Sequence, residues 1–258
     1  MKSHELIAGM DRGSSLYRSA MAAIKFDLGD ADSAVAMINA SSHSFYKLPA
    51  PLCLFEVQVH DQTQWFLAQE SGDRQAVFWQ AFVKSQGVLS ESTLTMLVYE
   101  DGTSHCGRKN LTDKNRSVSA INFDEMSVGE REAANAIMGV ARAIEVFSCC
   151  NVATVEHKPP AFINKKRIAK GKVPFFSYRT LHIKEEESDA KCGHTTGSHA
   201  SPRLHLRRGH IRRLQDGRRT WVRATLVGDK SKGFAAKDYA VWPHTKECSH
   251  AGTSTTRR

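Results

Sequence analysis

Several things missing from the chain narrow it at once. No stretch of the 258 residues approaches the roughly 18 consecutive apolar residues of a membrane span. The opening MKSHELIAGMDRG carries no apolar core of signal-peptide length. The six cysteines, Cys53, Cys106, Cys149, Cys150, Cys192 and Cys248, are widely scattered, and the adjacent Cys149-Cys150 pair is poor material for a disulfide framework. These features lead us to expect reduced thiols, no membrane partner and a soluble, cytoplasmic protein. A Gly-rich phosphate loop, a GxSxG elbow and an HExxH motif are all absent, which argues against the common nucleotide hydrolases, α/β-hydrolases and zinc proteases. There is no internal repeat, and no cofactor is expected.

Each half of the chain is short of charge of one sign. Residues 1–150 hold 13 Lys+Arg against 18 Asp+Glu, net −5, whereas residues 151–258 hold 23 against 9, net +14. The overall +9 conceals this division. A basic half favours phosphate-rich partners through counterion release, and an acidic half suits a cover or a protein partner. With 41% hydrophobic residues, the chain has enough apolar material for a real core.

Helical spacing recurs over 14–28 (Leu16, Ala20, Ala23, Ile24) and over 31–40 (Val35, Ala36, Ile38), which predicts two short N-terminal helices. From Pro49 the pattern shifts to short runs rich in Val, Phe, Leu and Trp, split by polar turns, and predicts a meander of antiparallel strands. Among these runs, QAVFWQAFVK is also compatible with a short helix. Residues 127–150 give the clearest helix. Ser127 stands as cap with Glu130 as its capping-box partner, and Ala134, Ile137, Met138, Ala141, Ile144, Val146 and Phe147 form a broad apolar stripe. After a Pro-Pro break, a basic stretch with Lys158, Lys165, Lys166, Arg167, Lys170 and Lys172 reads as an exposed loop, followed by a strand from Phe175 to Ile183. Residues 184–201 read as an exposed loop, a short strand is expected around Tyr239 to Trp242, and residues 244–258 read as a disordered tail.

The run Ser201–Asp229, SPRLHLRRGHIRRLQDGRRTWVRATLVGD, holds eight arginines and two histidines, with Asp216 the one acid between its ends. Asp216-Gly217 is the two-residue signal for a type I′ turn, which predicts one β-hairpin with Arg212 opposite Trp221 and His210 opposite Arg223. A bulge at Arg208-Gly209 would then gather Leu204, Leu206, Ile211, Val222, Ala224 and Leu226 on one face. His205, Arg207, His210, Arg212, Trp221 and Arg223 would share the other. The expected fold is α+β: an antiparallel or mixed sheet packed by one long helix, with short N-terminal helices and a C-terminal arginine-rich β-hairpin. The strands on both sides of the long helix are too few to close two cores, so a single domain over 1–243 is expected.

The segments LPAPLCLFE (48–56), NKKRIAKGKVPFFSYRTLHI (164–183) and HASPRLHLRRGHIRR…GRRTWVRATLVGD, with the His-X-X-Arg-Gly-His core at His205, Arg207, Arg208, Gly209 and His210, resemble a family of proteins encoded by tailed phages and prophages. The resemblance covers most of the chain. It implies a phage origin and a bacterial cytoplasm, and it carries over no mechanism and no catalytic residue.

Three chemistries compete for the hairpin. Arginine forks hold phosphates or guanine edges, so Arg207, Arg208, Arg212, Arg213, Arg219 and Arg223 suit RNA or DNA, with Trp221 placed to stack a base and Lys165, Lys166 and Arg167 extending the patch. Equally, Trp221 could lie in the core or on arginine stems. A metal-independent ribonuclease would use His205 and His210 as acid and base with arginines stabilising the phosphorane. A metal held by Cys192, His194, His199, His205 or His210, with Cys248 and His250 as an outside set, lacks the usual complete ligand pairs, and none is expected. Nucleic-acid binding is the leading expectation. Cleavage by the histidine pair is the alternative, and an inhibitor or adaptor gripping an acidic host protein is a third.

Overall fold

The computed structural model describes residues 2–40, 47–72, 76–99, 101–110, 117–184, 203–207, 209–222 and 225–234. The loop expected beyond Lys184, the strand near Tyr239 and the tail lie outside them. The described residues form two compact units, one within 1–196 and 208–225, the other within 197–207 and 226–258.

The first unit opens with helices α1 (Ser3–Gly9) and α2 (Ser15–Ala22), then strand β1 (Ile24–Asp30) and helix α3 (Ala31–Ala40). A meander follows: β2 (Leu52–Val59), β3 (Gln62–Glu70), β4 (Ala76–Ser85), β5 (Val88–Tyr99), β6 (Ser104–Lys109) and β7 (Val118–Ala120). Helix α4 (Val128–Ala143) runs on through a 3₁₀ segment, Ile144–Ser148, and is followed by β8 (Val152–His157), helix α5 (Ala161–Ala169) and β9 (Tyr178–Ile183). Nine strands make one sheet in the order β7-β6-β5-β4-β3-β2-β1-β9-β8. The sheet is mixed because β1 runs parallel to both β2 and β9, whereas the meander and the β8–β9 pair are antiparallel.

Alternation along the strands decides the two faces. Phe26, Cys53, Phe55, Phe66, Ala68, Val77 and Trp79 point to the face covered by α3 and α4, where Ile137, Ala141, Ile144 and Val146 meet them. Leu54, Trp65, Leu67 and Phe82 point the other way and pack with Leu6 of α1 and Leu16 of α2. The expected α4 cap is present: the Ser127 hydroxyl accepts from the Glu130 amide at 3.3 Å, and the Glu130 carboxylate accepts from the Ser127 amide at 2.9 Å. The same carboxylate takes a two-pronged bond from Arg108 of β6, at 2.7 and 2.8 Å. This pair, with the capping bonds, lowers the Glu130 carboxyl to about 2.

Two local readings change, and one left open is decided. Residues 24–28, read as the end of a helix, form β1, since Ala23 ends α2 in extended geometry and Lys25 and Phe26 then face opposite sides of the sheet. QAVFWQAFVK supplies a strand, β4. The basic stretch after Pro160 is helical in α5, with no buried side chain.

The hairpin also differs from expectation. It consists of β11 (His210–Arg213) and β12 (Arg219–Val222), paired His210↔Val222, Ile211↔Trp221, Arg212↔Thr220 and Arg213↔Arg219. The loop has three residues rather than two. Gly217 (φ 82°) takes the left-handed position, and the Gly217 and Leu214 amides donate to Leu214 and Arg218 carbonyls at 3.0 and 2.7 Å. A type I turn followed by a left-handed glycine is the three-residue solution, and it shifts the register by one. Trp221 therefore faces with Ile211, not with Arg212. A two-residue turn with both central φ positive does occur, at Gln86-Gly87 (φ 48° and 83°) between β4 and β5.

In the second unit, β10 (Arg203–Arg207) lies between β13 (Thr225–Val227) and β14 (Asp229–Phe234), parallel to β14. His205 on β10 and His210 on β11 thus belong to separate sheets, which removes the continuous ladder on which their shared face depended. No described helix is long and apolar enough to cross a membrane.

Candidate nucleic-acid interface

The hairpin is held to the first unit by its inner face. Ile211 and Trp221 pack against the main core. Asn151 fastens Trp221 through both main-chain groups, its Nδ2 donating to the Trp221 carbonyl and its Oδ1 accepting from the Trp221 amide, each at 2.8 Å. Arg219 reaches the Glu145 carboxylate at 3.0 Å, and Glu145 is 1% exposed at its side chain. Arg212 and Arg213 are exposed, and Arg218 is paired with Asp216 at 2.7 Å. The side chains of His205 and Arg207, together with Arg208 and Arg223, lie outside the described set. The structure therefore places Arg212 on the outer face, leaves Arg213 exposed on the face of Ile211 and Trp221, and gives Arg219 and Trp221 docking contacts.

A second constellation lies at the sheet edge formed by β8 and β9. Their register sets His157 opposite Tyr178 and Val155 opposite Thr180, all on the face that α1 covers. The His157 ring stacks on Tyr178 at 4.8 Å between centroids and 20° between planes, and its Nε2 lies 2.9 Å from Thr180 Oγ1. The segment before β9 is clamped to α5: Asn164 donates to the Phe175 carbonyl and accepts from its amide, both at 2.8 Å, and Arg167 donates to the Val173 carbonyl at 2.9 Å. Phe175 so held receives the Arg167 guanidinium 4.1 Å from its ring centre and the His4 ring edge-on at 4.5 Å. Burial, with the Arg167 charge adding to it, holds the His4 imidazole below its ordinary value.

Two open clefts adjoin here. One, of about 320 Å³, is lined by Ser3, His4, His157, Lys158, Phe175 and Tyr178 among others. The second, of about 240 Å³, contains Lys25, Glu156 and Arg179. Phe176 and Tyr178 line both. Lys25 is 4% exposed. Its Nζ donates to the Met21 and Ala23 carbonyls at 3.1 and 2.8 Å and sits 4.5 Å above Phe176, and burial lowers its amine to about 8. Glu156, the acid of the cleft wall, lies 3.6 Å from Lys158.

Helix α5 adds a basic, partly apolar surface beside this edge. Lys165 and Lys166 are exposed with Phe162 (63%) and Ile168 (61%), and Lys170 and Lys172 follow in exposed positions. From His157 to Lys184 the sequence contains eight Lys+Arg and not one Asp or Glu. Lys165, Lys166 and Arg167 were candidate contacts from sequence; His4, His157, Lys158 and Tyr178 were not. The acid-free span was the available signal for the last three. His4 carried none, because only the seating of α1 over the sheet brings it to residues more than 150 positions away. Among the described residues no group of His, Cys, Asp or Glu could hold a metal ion.

The sequence matches no protein-family model, and comparisons with curated proteins and with solved structures find no match either.

Proposed function

We propose that the protein binds single-stranded nucleic acid along the β8–β9 edge and α5. The observation that carries this is the conjunction of exposed Lys158, Lys165, Lys166, Lys170 and Lys172 with aromatic rings lining open clefts. Cations hold the phosphates by releasing their counterions, and a ring presented in a cleft stacks a base of any identity. Tyr178 backed by His157 is such a platform, and Phe176 lines the next cleft. A duplex keeps its base faces inside its own stack, so the clefts suit an unpaired strand. The resemblance of residues 164–183 and the hairpin to phage-encoded proteins supports placing this binding in phage DNA or RNA metabolism.

The test is a fluorescence-anisotropy titration with labelled single-stranded RNA, single-stranded DNA and duplex DNA at about 50 mM salt. Both single strands are expected to bind more tightly than the duplex. Tyr178→Ala should weaken single-strand binding by about 1 kcal/mol or more. Absence of any binding at low salt would end this reading. It would leave a second one, supported by the exposed Phe162 and Ile168 among lysines, in which α5 grips an acidic protein.

A further inference from the structure

We infer that the cleft between α1 and the β8–β9 edge cleaves RNA by internal transesterification, with His4 and His157 as its proton-transfer groups. The inference rests on the binding reading above and adds a reaction to it. Cleaving a ribonucleotide linkage needs one group to accept the 2′-hydroxyl proton, a second to protonate the leaving 5′-oxygen, and a cation near the phosphorane. One cleft of about 320 Å³ is lined by two histidines and a lysine, His4, His157 and Lys158, in a size range that admits a nucleotide.

Both imidazoles are oriented. Phe175 holds the His4 ring edge-on at 4.5 Å, and stacking on Tyr178 together with Thr180 Oγ1 at 2.9 Å fixes the His157 ring. Fixed rings in a cleft are what general acid–base catalysis requires, since geometry precedes proton affinity. Burial and the Arg167 guanidinium favour the neutral form of His4, which suits it to accept a proton.

In the step, a His4 ring nitrogen takes the proton of the 2′-hydroxyl, and the 2′-oxygen forms a bond to phosphorus. The P–O5′ bond breaks with its electron pair going to O5′, which takes a proton from the His157 imidazolium. Lys158 offsets the charge gathered on the non-bridging oxygens. The products are a 2′,3′-cyclic phosphate and a free 5′-hydroxyl, and the sum of protons and charge is unchanged.

The experiment incubates the full-length protein with end-labelled single-stranded RNA in EDTA, beside the same strand as DNA and the RNA with a single 2′-deoxy substitution. Cleavage of RNA to 2′,3′-cyclic phosphate ends is expected, with DNA intact and the substituted linkage resistant. His4→Ala and His157→Ala are each expected to slow cleavage by about 100-fold or more. His4→Gln and His157→Gln serve where an alanine variant loses its native circular dichroism. RNA that is bound but stays intact overturns the inference and leaves the binding reading standing. Loss of binding overturns both. Cleavage undiminished in folded variants of both histidines overturns the assignment to this cleft.

Discussion

Glu145 carries a carboxylate into the core of the first unit, and Arg219 supplies the charge that meets it. Removing one partner of a buried pair takes away counter-charge at a site where water does not replace it, which is where the energy of such pairs resides. Arg219→Ala is expected to lower unfolding stability by about 3–5 kcal/mol in urea denaturation, and the double change Arg219→Met with Glu145→Met to recover most of it. A surface arginine engaged only with solvent would give a loss too small to resolve. Lys25 shows the opposite sign of the same physics. Its amine is held down to about 8 from 10.5 by burial, so the unfolded chain binds more protons between those values. Below pH 8 the folded state bears the cost of a buried charge, and that cost is relieved as pH rises from about 8 to 10.5. Lys25→Met should therefore be more stable than the native chain at neutral pH by on the order of 3 kcal/mol, and the difference should shrink toward pH 10.5. A gap between the two that does not vary with pH would show that the amine is not the cause.

Among the elements, α4 is the one most fully specified by its own residues. Ser127→Ala removes one cap bond and should cost about 1 kcal/mol in chemical denaturation. Glu130, lowered to about 2 chiefly by Arg108, gives stability that is complete above 4.5 and lost as pH falls toward 2. This helix was legible because cap, capping-box partner and apolar stripe all lie within one continuous segment. The meander was legible for a similar reason: each strand pairs with its sequence neighbour. β1 was not, because it pairs with β2 across a helix and with β9 from far down the chain, and its residues continue the apolar spacing of α2. In the hairpin, Asp-Gly correctly marked a turn but not its length. Asp216 instead accepts from the Arg218 amide at 3.0 Å, closing a local turn in which glycine alone needs positive φ. That single residue of register moved Trp221 from the arginine face to the core. Helix α5 was not legible because its three cations, Lys165, Lys166 and Arg167, are adjacent at its centre and none of its side chains is buried, so no apolar stripe facing a core marks it.

For the whole molecule, the charge division visible in the sequence has a spatial counterpart within the first unit. The acidic half supplies most of the sheet and the helix packed across it, with Glu56 of β2, Glu130 of α4 and Glu145 of the 3₁₀ segment buried and bonded. The later segment 157–184, free of acids, supplies α5 and β9, which pairs with the edge strand β8 and lines the clefts with it. The proposed chemistry there depends on α1 arriving from the other end of the chain with His4, a juxtaposition that only the fold creates. The central claim is that this edge is an electrostatic and stacking surface for an unpaired strand, and its most direct measurement is the salt dependence of binding. Affinity for single-stranded RNA, measured by anisotropy from about 50 to 200 mM salt, should fall with a log–log slope of roughly −3.5 if the five lysines contact phosphates. Lys165→Ala and Lys166→Ala should each make that slope shallower by about 0.7. A slope near zero, or one unchanged in both variants, would contradict the account.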